Sequence, residues 1–117
     1  MPDLLVDTDV FVDHLRGARP FEPEGALVSY STITRAELFA GRASQEAAVR
    51  TLLDPFRELT VDRAVAELGG RLRREQGVPI ADALIAATAL VNDLALATRN
   101  LRDFGRVPDL RLHAAAR

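Results

Sequence analysis

The sequence predicts an α/β fold in three layers, in which helices flank a central parallel sheet of four to five short strands. Short apolar runs alternate along the chain with segments of helical hydrophobic spacing, and glycine or proline often stands between them. The run Leu4–Val6 is apolar throughout, which is typical of a strand buried on both faces. Strands that alternate with helices pair in parallel, because each helix returns the chain to the same end of the sheet.

The individual elements follow from these apolar runs and from capping residues. Strands are predicted at residues 4–6, 26–29, 58–61, 94–98 and 110–112, the last of them weak. Helices are predicted at residues 10–15, 32–40, 44–54, 62–76 and 82–92. Ser31 or Thr32 can cap the second helix, and Gly41 stops it. In the helix over 62–76, Gly69 and Gly70 lower helix stability and indicate close backbone packing.

Length and composition suit a single domain over residues 1–117. Hydrophobic residues make up 48% and charged residues 27%, the balance of an ordinary globular protein. No apolar run approaches the roughly 20 residues that a membrane helix needs, and residues 1–7 do not resemble a signal peptide. Because the chain has no cysteine, disulfides and thiolate metal sites are excluded. We therefore expect a cytoplasmic protein with no membrane association.

The charge balance bears on nucleic-acid binding. A net charge of −2 argues against an extended basic surface. It does not exclude a nuclease, since bound divalent ions can supply the positive charge that an acidic site lacks. All 15 basic residues are arginine, so the chain has no lysine.

Four acids stand out by their surroundings. Asp7 directly follows the first strand, and in a parallel sheet ligands gather beyond the carboxyl ends of the strands. Glu37 lies on an otherwise apolar helix face, where an acid is costly unless it has a partner or a metal. Asp82 opens a nearly apolar helix, and Asp103 follows the fourth strand together with Asn100.

Each of these residues also has an ordinary structural explanation. Asp7 can cap a helix, Glu37 can point to water if its helix is rotated, and Asp82 can stabilise the helix dipole. Asp103 and Asn100 can be polar loop residues. Together, however, converging carboxylates are the hard oxygen ligands that Mg²⁺ or Mn²⁺ prefers, and such a site hydrolyses phosphodiesters. We therefore predict that Asp7, Glu37 and Asp82 converge on one cleft.

Four further polar residues are interpreted without a catalytic or metal-binding role. Asp9 and Asp13 are interpreted as helix caps or solvated acids. His14 and His113 are interpreted as incidental, because they lie far apart in the sequence and accompany no cysteine.

Four segments resemble the acidic motifs of PIN-domain ribonucleases, in the order of that family. Residues 4–11, LLVDTDVF, resemble its opening strand and first acid, and residues 31–41, STITRAELFAG, its second acidic motif. Residues 80–89, IADALIAATA, resemble the third motif, and residues 96–104, LATRNLRDF, the last. The four segments span nearly the whole chain, and the sequence is similar in particular to bacterial VapC toxins.

The resemblance implies a metal-dependent endoribonuclease that acts as a bacterial toxin and binds Mg²⁺ or Mn²⁺ through Asp7, Glu37 and Asp82. The fourth acidic position is either Asn100 or Asp103, and we favour Asp103 with Asn100 supporting it. Thr8 matches a hydroxyl beside the first acid that orients water or phosphate.

The resemblance also implies partners: an RNA substrate, a second copy of the chain in a homodimer, and a VapB-like antitoxin. The tail of such an antitoxin crosses a groove near the acids. Candidates for a wall of that groove are Phe11, Leu15, Leu38 and Phe39, although packing in the core is the favoured role for each of them.

Other classes of function remain open from the sequence. A PIN-like module that binds RNA or protein without catalysis would lack an acid, whereas all four segments keep one. A haloacid-dehalogenase-type phosphatase would use Asp7 as nucleophile and Asp9 as acid/base. Phe11, however, stands where that motif needs a small or hydroxyl residue, and the usual lysine is absent. A response-regulator receiver domain also needs a lysine.

Overall fold

The computed structural model describes residues 3–114, in which five parallel strands form one sheet. The strands are β1 (Leu4–Val6), β2 (Val28–Ser31), β3 (Arg57–Leu59), β4 (Ala95–Thr98) and β5 (Leu112–Ala114), in the order β3-β2-β1-β4-β5. The α-helices are α1 (Thr8–Leu15), α2 (Thr32–Phe39), α3 (Glu46–Leu53), α4 (Arg63–Gln76), α5 (Ile80–Val91) and α6 (Leu101–Phe104). The predicted parallel sheet flanked by helices is confirmed.

Helices cover both faces of the sheet, because successive side chains of a strand point to opposite sides. On one side, Leu5 of β1 shares a core with Ile85 of α5 and Val65 of α4. On the other, Val6 shares a core with Phe11 of α1, together with buried residues of α2 and α3. No helix in residues 3–114 is long and apolar enough to cross a membrane.

The carboxyl ends of β1 and β2 lead directly into helices. Asp7 follows β1 and caps α1, accepting a hydrogen bond from the Thr8 amide. Ser31 ends β2 and caps α2, accepting one from the Ile33 amide at 3.0 Å. Because these side chains satisfy the free amides of the first helical turn, the turns between strand and helix are very short. Both helices therefore begin at one edge of the sheet.

Strand boundaries differ most from the sequence prediction. β2 begins at Val28 rather than residue 26 and extends through Ser31, with Leu4 paired to Val28 and Leu5 to Ser29. Ser29 and Ser31 are buried in the sheet, but because serine is polar, they do not extend the apolar run by which the strand was predicted. β3 and β5 are likewise displaced by a few residues, to Arg57–Leu59 and Leu112–Ala114.

α4 and α5 pack closely through one of the two paired glycines. A methyl group at Gly69 would lie 2.6 Å from Cδ2 of Leu84, whereas one at Gly70 would meet nothing within 4 Å. The predicted close packing is therefore confirmed at Gly69 and wrong at Gly70. α5 begins at Ile80, before the predicted residue 82, and this places Asp82 within its first turn.

Candidate active site

An acidic cleft of about 350 Å³ opens at the carboxyl edge of the sheet. The residues that line it come from the β1–α1 junction, α2, α5 and the segment after β4. They include Asp7, Thr8, Asp9, Glu37, Asp82 and Asn100. The three carboxylates of Asp7, Glu37 and Asp82 therefore line one cleft, as the sequence predicted, although they are distant along the chain.

Asp7 is the most deeply buried acid of the cleft, with 5% of its surface exposed. Its Oδ1 accepts the Thr8 amide at 2.8 Å, and its Oδ2 accepts the Thr98 hydroxyl at 2.8 Å. Burial raises the pKa of Asp7 to about 7, with a further increase from the charge of Asp9, although these two hydrogen bonds oppose the shift. Asp7 therefore caps α1 and also places in the cleft a carboxyl group whose charged form is destabilised by burial.

Glu37 reaches the cleft from the exposed side of α2. Its Oε1 accepts the Thr8 hydroxyl at 2.7 Å, and the Thr8 oxygen lies 2.9 Å from the buried Thr34 hydroxyl. The residue is thus solvent-exposed, as the alternative of a rotated helix predicted. Its carboxylate is nevertheless tied to the residue that follows Asp7.

The pKa values of Asp82 and Asp9 are also raised in the cleft. Burial raises the pKa of Asp82, and the negative charges of Glu37, Asp103 and Asp9 raise it further. Burial also raises the pKa of Asp9, whose Oδ1 is buried and has no hydrogen-bond partner in the described residues. Asp82 does stand in the first turn of α5, where the helix dipole favours an acid, but the surrounding acids oppose its charge.

Asn100 and Asp103 form a unit at the start of α6. The Asn100 side chain accepts the Asp103 amide at 3.4 Å and donates to Oδ2 of Asp103 at 3.1 Å. Asn100 lines the cleft, while Asp103 acts on Asp82 through its charge. The geometry therefore couples the two candidates for the fourth position.

The interpretation of Asp9 and Asp13 as caps or solvated acids is incomplete, because Asp7 is the cap of α1 and both Asp9 and Asp13 line the cleft. Oδ2 of Asp13 lies 3.1 Å from Nε of Arg99, which follows β4. The available signal was their spacing, since Asp9 and Asp13 stand four residues apart on α1 and so share a helix face. His14, by contrast, accepts the Phe21 amide at 2.8 Å and has a local structural role.

The chemistry of the cleft fits a hard divalent cation. Its candidate ligands are all oxygen atoms, which suits Mg²⁺ or Mn²⁺ and not softer metals. A buried Asp7 and an unpartnered Asp9 oxygen leave negative charge poorly compensated. Within residues 3–114, no three acidic or histidine side chains lie close enough together to coordinate one ion without moving.

Comparison with known proteins decides the family. A family model for the PIN domain matches residues 4–110. The chain belongs to the PIN-domain family. Ribonuclease VapC19 of Mycobacterium tuberculosis is 38% identical, over 92% of this chain and 96% of that protein. Ribonuclease VapC10 of the same species is 37% identical, over 92% and 90%. This membership leaves the phosphatase and receiver-domain alternatives without support.

The solved structures agree with the family assignment. A toxin–antitoxin complex from Klebsiella pneumoniae contains a chain that matches this PIN domain with a TM-score of 0.82 and 30% identity. The match covers 97% of this chain and 98% of that chain.

A second groove of about 460 Å³ adjoins the acidic cleft of this PIN domain. Val12, Arg16 and Glu37 line both depressions. Of the predicted wall residues, Leu15 and Leu38 line the groove. Phe11 is fully buried and Leu38 nearly so, which confirms their role in the core.

Proposed function

We propose that this chain is a metal-dependent endoribonuclease that hydrolyses RNA phosphodiester bonds and acts as a bacterial toxin. The observation that carries the proposal is the cleft shared by Asp7, Glu37 and Asp82, in a chain whose relatives are named ribonucleases. A PIN-like module that binds without catalysis is the alternative.

Four carboxylates would hold the metal: Asp7, Glu37, Asp82 and Asp103. When bound, Mg²⁺ or Mn²⁺ would supply the positive charge that phosphodiester hydrolysis requires. The chain itself orients the carboxylates. The Thr98 hydroxyl donates to Asp7 and the Asn100 amide to Asp103, so Asn100 would act by fixing its neighbour.

The electrostatics of the cleft set conditions for RNA binding. Several carboxylates would face a substrate that is itself negatively charged, so without a bound cation they would repel the phosphate backbone. Arg16 lines the cleft and offers a cation at its rim. RNA would therefore bind productively only once the carboxylates are neutralised, and we propose that binding and cleavage share one metal requirement.

We propose that the adjoining groove accepts a VapB-like antitoxin. The groove is apolar along Val12, Leu15 and Leu38, which suits an amphipathic segment. It leads to the carboxylates through Glu37, so a segment with a basic side chain at its end would neutralise the cleft and block RNA. A homodimer and a cytoplasmic location remain predictions from the family resemblance, and light scattering of the purified protein tests the first.

Cleavage of single-stranded RNA by Asp82→Asn tests the proposal. Asparagine is uncharged and nearly the same size, so we expect cleavage to fall at least about 100-fold while the fold persists. Asp93→Asn is the matched control, because Asp93 is exposed, has a positive φ of 54° that asparagine tolerates, and lies outside the cleft lining.

The same assay separates the alternatives. Wild-type cleavage should need Mg²⁺ or Mn²⁺ and stop in EDTA. Near-normal cleavage by a folded Asp82→Asn protein, or cleavage that persists in EDTA, would contradict the mechanism. RNA binding without cleavage by the wild type would instead favour the non-catalytic module.

A further inference from the structure

The Thr34 hydroxyl is a buried polar group that does not belong to the candidate metal ligands. Thr34 lies on α2, three residues before Glu37, and is fully buried. Among the hydrogen bonds of the described residues, its hydroxyl makes one, to the Thr8 hydroxyl at 2.9 Å. The two threonines thus join α1 and α2 beside the acidic cleft.

The direction of this hydrogen bond follows from its neighbours. The Thr8 hydroxyl donates its single proton to Oε1 of Glu37 at 2.7 Å, and a carboxylate oxygen can only accept. The proton between the two threonines must therefore come from Thr34. The result is a directed chain in which Thr34 donates to Thr8 and Thr8 donates to Glu37.

Another buried threonine, Thr88, shows how a helix can satisfy such a hydroxyl by itself. The hydroxyl of Thr88, also fully buried, donates to the carbonyl of Leu84 four residues earlier on its own helix, at 2.7 Å. Such a bond within the helix satisfies a hydroxyl without any tertiary partner. Thr34 stands in the first turn of α2, where the residue four positions earlier, Tyr30, belongs to β2. Its hydroxyl bonds to Thr8 of α1 instead, next to an acid of the cleft.

We propose that Thr34 is a positioning residue, which acts through Thr8 to hold the Glu37 carboxylate in one orientation. The proposal rests on the proposed function in that Glu37 belongs to the site. Glu37 is exposed and would otherwise sample several rotamers in water. The chain from the buried Thr34 selects one of them. It also commits the Thr8 proton to Glu37, so in this state Thr8 does not donate to a substrate phosphate.

Three single variants test the positioning role. Thr34→Val keeps the shape and removes the hydroxyl, Thr34→Ser keeps the hydroxyl, and Thr88→Val removes an equally buried hydroxyl elsewhere. We expect Thr34→Val to weaken Mn²⁺ binding and lower kcat, each about five-fold, with KM little changed. Thr34→Ser should restore both values, and Thr88→Val should leave them at the wild-type level.

Crystal structures of the same variants give a readout that does not depend on activity. Thr34→Val should lose the single orientation of the Glu37 carboxylate, which Thr34→Ser and Thr88→Val should keep. An unchanged Glu37 in Thr34→Val would overturn the inference whether or not the wild type is an enzyme. A wild type with ordered Glu37 that neither binds Mn²⁺ nor cleaves RNA would overturn the proposed function and leave the positioning role standing.

A double-mutant cycle between the two threonines completes the test. Thr8→Val should abolish the effect on Glu37 of removing Thr34, so Thr34→Val should lower Mn²⁺ affinity no further in that background. Additive losses in the two variants would show that Thr34 acts independently of Thr8, and would contradict the proposed chain.

Discussion

The acidic edge of the sheet and the α4–α5 layer differ in how well their buried groups are satisfied. In the layer, Thr88 is satisfied by its own helix and Gly69 lets Leu84 approach, so these buried groups are accommodated within the fold. At the edge, burial raises the pKa of Asp7, and a buried oxygen of Asp9 has no hydrogen-bond partner in the described residues. The acidic edge therefore carries a free-energy cost of the kind that is typical of a functional site.

The largest expected effect is a pH dependence that originates at the acidic edge. Burial raises the pKa of Asp7 to about 7 from its usual 3.8, so between these values the folded state binds more protons than the unfolded state. The free energy of unfolding of the metal-free protein should therefore fall as pH rises from about 4 to about 7, and level off above. Asp7 alone contributes a slope of at most about 1.4 kcal/mol per pH unit.

Chemical denaturation in EDTA across this pH range measures the slope, and Asp7→Asn is the control. Asparagine caps helices well and cannot titrate, so the variant should show a shallower slope and greater stability than wild type at pH 8. If the free energy of unfolding depended on pH equally in the two proteins, the pH dependence would not originate at Asp7.

A smaller effect is expected from the cation that compensates the acidic edge. The ion pair of Arg99 with Asp13 is partly buried, with side chains 16% and 29% exposed. Arg99→Gln would leave Asp13 unpaired and remove a positive charge that lowers the pKa of Asp9. We expect it to reduce the free energy of unfolding by about 1–3 kcal/mol at neutral pH.

The matched control is Arg111→Gln, since Arg111 pairs with Asp93 at the surface, with side chains 59% and 97% exposed. Exposed pairs of this kind contribute between about 0 and 1 kcal/mol. Equal losses from both variants would mean that the acidic edge has no special need for Arg99.

The difference between the two regions also explains how far the sequence could predict the molecule. Helix α4 could be predicted from the sequence, because its apolar residues follow helical spacing and Asp62 and Gly77 mark its ends. Strands such as β2 were harder to place, since Ser29 and Ser31 are buried through pairing with neighbouring strands. Pairing of this kind is set by contacts between distant segments, which local patterns do not encode.

The candidate site was predicted where acids stand out against apolar neighbours, as Asp7, Glu37 and Asp82 do. Asp9 was missed because it looks like a cap, and Thr34 because a threonine in a helix carries no signal of its own. Tertiary contacts give both residues their roles, since Asp9 interacts with Arg99 inside the cleft and Thr34 bonds to Thr8 beside it.

The smallest expected effects concern the two adjacent glycines of α4, which test the packed region by itself. Alanine is better than glycine in a helix by about 1 kcal/mol, so Gly70→Ala, at an exposed position with free space, should stabilise the protein by up to that amount.

At Gly69 the same methyl group would lie 2.6 Å from Cδ2 of Leu84, and overpacking of this kind costs about 1–3 kcal/mol. The Cα of Leu84 lies 3.4 Å from the same methyl group, so a side-chain shift relieves the contact only in part, and Gly69→Ala should be destabilising by about 1 kcal/mol net. Denaturation curves of both variants measure the difference, and RNA cleavage should be unchanged in each. If Gly69→Ala were as stable as Gly70→Ala, the α4–α5 contact would be looser than the structure shows.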